Sequence, residues 1–234
     1  MNQLYGMHFI RLRQHIEPAF MDALLSMGWY RMSQHVFTTR LVRIDFSNSI
    51  EVLWIRIDLK DYELPARHLR LRKINKHFHL SQRQGCITEE IEALYKLYLE
   101  GIDFEASDSV KSYLQEEGQV NFFPTRLWQL RHKGALIGFS YFDEGIESAA
   151  GILTGYDHAY KKYSPGTFLY LESVWHAAQN GMKFFYPGYI ALGTRKFDYK
   201  LLAGLHRIQV LDESSGKWIP YSESRHAQTR RHAS

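Results

Sequence analysis

A single cysteine, Cys86, stands in a chain of 234 residues, so no disulfide can close within it and no cluster of cysteine ligands is available. Apolar runs are short; none approaches the roughly 20 residues that a membrane-spanning helix requires. The chain does not open on a basic cluster followed by an apolar block, the pattern of a secretory leader. Repeats of fixed period and low-complexity linkers are also missing. These absences point to a protein of a reducing cytoplasm. What is abundant is apolar: 45% of residues are hydrophobic, enough for a substantial core and too many for a disordered chain. The net charge of +4 is mild, so the placement of cations matters more than their sum.

Periodicity divides the chain into helices and strands. Ile16, Phe20, Leu24 and Met27 recur at helical spacing, and Gly28 ends that segment. A β-rich stretch follows over Tyr30–Phe37, Leu41–Phe46 and Ile50–Leu59, with Leu53, Ile55, Ile57 and Leu59 on one face. Pro65 opens a helix reaching Phe78. Thr88-Glu89-Glu90 starts another, with Ile91, Leu94, Tyr95 and Tyr98 on its core side, and a shorter helix is expected over Ser107–Glu117, stopped by Gly118. Arg126–Arg131 and Ala135–Phe142 read as a hairpin around His132-Lys133-Gly134, followed by a strand of small residues over Ser148–Gly155. Later strands are expected over Lys183–Ile190, Arg207–Leu211 and Lys217–Tyr221. This divides the chain into an N-terminal α+β subdomain (1–86), a C-terminal domain (87–221) and a disordered tail (222–234).

Two segments carry candidate chemistry. In Tyr163-Ser164-Pro165-Gly166-Thr167, Ser164 suits an N-cap, Pro165 suits the first helical position, and Gly166 allows close approach to the backbone. Such a helix start aims free N–H groups at a docked ligand. The second segment is the helix from Leu64 to Phe78. On a helical wheel Leu64, Leu71, Ile74 and Phe78 cluster on one side, while Arg70, Arg72, Lys73 and Lys76 spread over the other. Arg67 falls inside the apolar stripe, where it either snorkels to water or is a partly buried guanidinium awaiting a carboxylate or phosphate. The cationic face is either a solvated surface or a phosphate-tracking one for RNA. His68, His77, His79 and Cys86 fit no common zinc spacing, so no metal site is expected.

The order hairpin, small-residue strand, Ser164 turn, helix and strand resembles a GNAT-type acyltransferase core. The Arg/Gln-x-x-Gly-x-Gly/Ala loop of the acetyl-CoA enzymes is missing, which argues against CoA as donor. More specifically, Gly28-Trp29-Tyr30-Arg31-Met32-Ser33, the stretch Arg56–Asn75, Gly138-Phe139-Ser140-Tyr141-Phe142-Asp143, Tyr156-Asp157 with Ser164–Thr167, and Gly188-Tyr189-Ile190 with Lys196–Lys200 resemble, in this order, motifs of the arginyl- and leucyl-tRNA–protein transferases. The chain departs from that family in its cysteines: Thr38-Thr39-Arg40-Leu41-Val42 stands where a Cys-x-x-Cys is expected.

The resemblance implies an α+β, GNAT-like fold of mixed, mostly antiparallel sheets flanked by helices, with a tandem arrangement as a variant. It implies an enzyme that moves an amino acid from charged tRNA to the N-terminal amine of an acceptor protein, with aminoacyl-tRNA as co-substrate, no further cofactor and no membrane. Asp198, Tyr199, Lys200 and Tyr189 are then the catalytic candidates. Ser164, Pro165, Gly166, Thr167 and Tyr156 would hold the donor, and Arg67, Arg70, Arg72, Lys73 and Lys76 the RNA. An acyl-CoA-dependent N-acyltransferase and a non-catalytic tRNA- or protein-binding relative are the alternatives.

Overall fold

The computed structural model describes residues 7–43, 48–102, 106–115 and 120–232. In chain order its elements are β1 (Met7–Arg11), α1 (Pro18–Ser26), β2 (Tyr30–Met32), β3 (His35–Thr39), β4 (Leu41–Arg43), β5 (Ser49–Asp58), α2 (Ala66–Asn75), β6 (His79–Gln84), α3 (Glu89–Glu100), α4 (Lys111–Leu114), β7 (Thr125–His132), β8 (Ala135–Glu144), β9 (Ser148–Tyr156), α5 (Pro165–Gln179), β10 (Phe184–Ala191), β11 (Ile208–Asp212), β12 (Lys217–Pro220) and α6 (Arg225–His232). The expected strand end at residues 44–46 and the expected helix end at 116–118 lie outside the described residues.

The expected hairpin forms: Lys133 and Gly134 both take positive φ (50° and 86°), the geometry of a type I′ turn, whose twist matches the paired strands. β9 continues the antiparallel meander, and α5 then crosses over to bring β10 alongside β9 in parallel. Both faces of β8 are covered. Ile137 and Phe142 pack with α5 and α2, while Phe139 and Tyr141 pack with Ile91, Leu94 and Tyr95 of α3. That is why β8 reads as a nearly continuous apolar run.

The division expected at residue 86 falls within one continuous sheet. Its strand order is β12-β11-β5-β10-β9-β8-β7-β6, with β4 added on β5. β5, from the N-terminal third, lies between β10 and β11, and β6 pairs with β7. Only β1, β2 and β3 form a separate small sheet. The tail expected to be disordered carries α6, where Ser224, His226 and Ala227 are buried against Tyr221 and Leu201. Its polar composition hid this because the buried groups there are partnered: Ser224 bonds the Tyr221 carbonyl and His226 the Tyr221 hydroxyl.

One irregularity opens the sheet. β9 and β10 pair only through Ser148–Ala150 and Phe184–Tyr186. The next residue of β10 is Pro187, which has no N–H to give to a ladder. Gly188 follows with φ of 95°, and the register against β5 shifts there. The two strands part, and the edge of β9 beyond Ala150 faces a cavity instead of a strand.

Candidate active site

The cleft at this split has a volume of about 650 Å³, within the range of small-molecule sites. Gly151, Ile152, Leu153 and Thr154 of β9 form one wall, and Phe185 and Pro187 of β10 the other. Gly166, Thr167, Tyr170 and Ser173 reach it from one face of α5, at the spacing that helical geometry demands. Tyr95, Tyr98 and Tyr156 close the outer side, and Lys196, Phe197, Tyr199 and Lys200 the far side.

The start of α5 opens on this space. Ser164 is the N-cap residue, as expected from sequence, but it takes a left-handed conformation (φ 52°, ψ 51°) and its side chain makes no capping bond. Its carbonyl still receives the first helical bond, from Phe168 N–H. The bend that points the serine away leaves the amides of Gly166 and Thr167 uncapped beside the cleft. Gly166 lets the helix start approach the Tyr156 ring closely: a β-carbon there would lie 3.0 Å from it and press the ring aside. Pro165 is buried and outside the lining; it fixes the first helical φ.

Lys200 is the one lysine among the described lining residues that burial perturbs strongly. It lies in the 3₁₀ helix Asp198–Ala203, is 8% exposed, and donates from Nζ to the Tyr189 carbonyl at 2.8 Å. The rings of Tyr189, Phe197 and Tyr199 surround it at 4.9, 5.1 and 5.9 Å from Nζ. Burial among them pushes the amine down to about 7. Gly188 makes the room, since a β-carbon there would sit 3.2 Å from Nζ. Tyr170, from α5, donates to the Lys200 carbonyl at 2.6 Å and ties the 3₁₀ helix to the crossover helix.

The remaining expected site residues separate into two groups. Tyr156, Ser164, Gly166, Thr167, Tyr199 and Lys200 come together around the cleft. Asp198 and Tyr189 do not enter its lining. Asp198 turns away from the cleft toward α6, where its buried Oδ1 lies 3.6 Å from His226 Nε2, so it is not placed to take a proton from a substrate in the cleft. The Tyr189 ring packs between Trp54 and Phe197, each 5.2 Å away, and meets Lys200 through its ring face and its carbonyl.

The basic helix is also reordered. The buried positions of α2 are His68, Leu71 and Asn75. Of the two readings of Arg67 the structure has the solvated one: it is exposed together with Arg70, Lys73 and Lys76. Arg72 is occupied: it bonds both oxygens of Glu172 on α5, at 2.6 and 2.7 Å, and the same carboxylate meets His68 Nε2 at 2.8 Å. Although burial raises it, the Glu172 carboxyl is held below its ordinary value by Arg72 and His68. His68 is thus a structural partner; among the described residues no group of His, Cys, Asp and Glu is arranged to hold a metal ion. Sequence reasoning missed Lys161 and Lys196 at the rim and the Tyr98 wall. Only the lysines' nearness in sequence to the expected motifs could have signalled them. Among the described lining residues there are three lysines (Lys161, Lys196, Lys200) and no carboxylate.

Comparison with known proteins places this arrangement. An aspartate/glutamate leucyltransferase of Helicobacter hepaticus is 26% identical over 184 residues, 75% of this chain and 73% of the relative. One of Maricaulis maris is 26% identical over 212 residues, 88% and 79% of the two chains. Among solved structures, FemX matches with a TM-score of 0.48 and 9% identity, covering 79% of this chain and 65% of that one. A tandem GNAT protein from the clavulanic acid biosynthesis pathway matches with a TM-score of 0.43 and 12% identity, covering 85% and 59%. No described helix is long and apolar enough to cross a membrane. The family profile described as "Arginine-tRNA-protein transferase, C terminus" matches residues 90–209, which hold the hairpin, α5, β10 and Lys200, and with half the chain under it the protein belongs to that family.

Proposed function

We propose that the protein transfers an aminoacyl group from charged tRNA to the N-terminal amine of an acceptor protein. The observation that carries this reading is a buried lysine of lowered basicity on one side of a cleft whose other side is an uncapped helix start. An α-ammonium group, with a pKa of about 7.7–8.0, must lose a proton before it can attack. Lys200, poised near neutrality, accepts that proton. The neutral amine adds to the ester carbonyl, and the resulting oxyanion is met by main-chain N–H groups of the split β9 edge and the α5 start. Collapse breaks the bond to the terminal ribose oxygen, which leaves with the proton returned by Lys200, while the attacking nitrogen gives its second proton to solvent to become the neutral amide. The ester is already activated, so the scheme calls on no further cofactor. Tyr98 and Tyr156 offer ring faces for the terminal adenine. Such a reaction draws on a pool of charged tRNA and belongs in the cytoplasm.

The cleft charge narrows the substrates. Among the described lining residues lysines occur and no carboxylate does, a balance that disfavours an arginyl side chain and favours a neutral acyl group and an acidic acceptor residue. The relatives named aspartate/glutamate leucyltransferase support the same choice. The test is a transfer assay with leucyl-, arginyl- and other aminoacyl-tRNAs against peptides beginning with Asp, Glu, Lys or Ala. Transfer of leucine to the acidic peptides is expected. Absence of transfer from every charged tRNA would overturn the reading.

A further inference from the structure

The 3₁₀ helix His158–Tyr163 turns once every three residues, so its side chains fall into three rows. One row faces the cleft. Lys161 and, one turn on, Ser164 line it, and His158 stacks flat on the lining residue Tyr98 with ring centres 5.6 Å apart. The second row, Tyr160 and Tyr163, turns the other way and meets Phe78 edge-on at 5.7 and 5.0 Å. The third row, Ala159 and Lys162, is exposed.

The second row belongs to a larger aromatic cluster. His132, in the β7–β8 hairpin, joins it through Nδ1 and the Tyr160 hydroxyl at 3.0 Å. His77, just past α2, lies 5.3 Å from the Tyr163 ring and is itself exposed. Four exposed lysines come from the same three elements: Lys76, Lys133, Lys161 and Lys162. Lys162 lies over the Tyr163 ring at 5.1 Å. None of the four forms an ion pair within the described residues.

Rings interleaved with unpaired cations suit single-stranded nucleic acid, whose bases stack on rings and whose phosphates follow the charges. We infer that this face is the entry track for the single-stranded 3′ end of an RNA donor, which crosses the His158–Tyr163 helix as a sill into the cleft. The inference rests on the transferase reading and adds to it a face that the basic helix alone does not supply. Lys133 and Lys162 touch the strand outside the cleft, Tyr163 and His77 its bases, and Lys161 the last phosphates before Gly166.

The test is fluorescence anisotropy with an uncharged stem-loop RNA ending in a single-stranded 3′ overhang, and with the same stem cut blunt. Lys133→Glu and Lys162→Glu are made separately and together; both sites are exposed, and thermal melting checks the fold. The double variant is expected to lose tenfold or more in affinity for the overhang RNA. Its log–log salt slope should fall by about 1.4, two single-strand phosphate contacts. The blunt stem should bind more weakly and respond little to the variants. Overhang binding equal to the parent's in affinity and slope would overturn the track and leave the transferase reading standing. Failure of the parent protein to bind the overhang RNA at low salt would remove both. Weakened use of acceptor peptide with unchanged RNA binding would reassign the face to the acceptor and overturn the inference.

Discussion

Arg31 and Asp143, 112 residues apart in sequence, meet in a buried ion pair of 2.9 Å. Each comes from one of the short motifs that carry the family resemblance, Gly28–Ser33 and Gly138–Asp143. The guanidinium is otherwise satisfied by Thr125, Asn121 and the Ser33 and Leu114 carbonyls. The pair fastens the small sheet to the inner meander. Removing one partner strands a buried charge, so Asp143→Ala should cost about 3–5 kcal/mol. Replacing both, as in Arg31→Met with Asp143→Leu, should recover part of it. Chemical denaturation measures both; a single-variant loss below about 1 kcal/mol would show the pair to be dispensable.

Lys200 gives the reaction and the fold a shared pH dependence. Transfer should rise with pH through about 7 as the amine loses its proton. Lys200→Met should lose about a hundredfold or more in kcat and flatten that profile. For stability the folded value, about 7, lies below that of an unfolded lysine, about 10.4. Between the two the unfolded chain holds the extra proton, so stability rises with pH across that window and is flat below it. Denaturation of the parent and of Lys200→Met at pH 6, 8 and 9.5 checks the sign: the methionine variant should lack the rise.

Gly188 separates room from strain. Its φ of 95° disfavours any side chain, and a β-carbon would press on Lys200 Nζ. Gly188→Ala should cost about 1–3 kcal/mol and lower kcat more than it raises KM, because the displaced group is the amine and not a donor contact. Steady-state kinetics beside thermal melting reads both; unchanged kcat would show that Lys200 has other room to occupy.

His226 holds the outer side of the same 3₁₀ helix, with Nδ1 2.8 Å from the Tyr221 hydroxyl and Nε2 3.6 Å from Asp198. Glutamine keeps an amide within reach of Asp198, whereas asparagine keeps only the Tyr221 contact. His226→Asn should therefore lower kcat about tenfold with KM little changed, and His226→Gln should restore most of it. Equal loss in both variants, tracking their melting temperatures, would reduce His226 to packing.

The inner meander and its crossover were legible because their signals are local: a turn dipeptide, alternating runs, and Ser-Pro-Gly before an apolar helix. The place of β5 was not, because strand pairing between residues 53 and 190 leaves no local mark. The wheel drawn on α2 put Leu64 and Ile74 inside and missed His68 and Asn75, both buried. Hydrophobicity does not report a polar group buried with its partners, and those partners, Glu172 and the Tyr163 carbonyl, lie about a hundred residues away. Arg72 looked free for the same reason. At the site, Lys200 was found through its motif, but Asp198 beside it faces α6 instead of the cleft because a 3₁₀ turn sends residues two apart to different sides.

The position of β5 also governs how the molecule can be made and divided. It is synthesised early, yet both its neighbours, β10 and β11, leave the ribosome much later. Until then Leu53, Ile55 and Ile57 await the late residues they pack with, while Trp54 already has Tyr30 and Phe37. Assembly of the centre of the sheet is therefore among the last events of folding and depends on long-range closure, which is slow. A fragment beginning after residue 86 would lack β5 and β6 and so bare three strand edges, on β10, β11 and β7, and self-association is its expected fate. The catalytic half, for all that its motifs read as a module, is not a separable part.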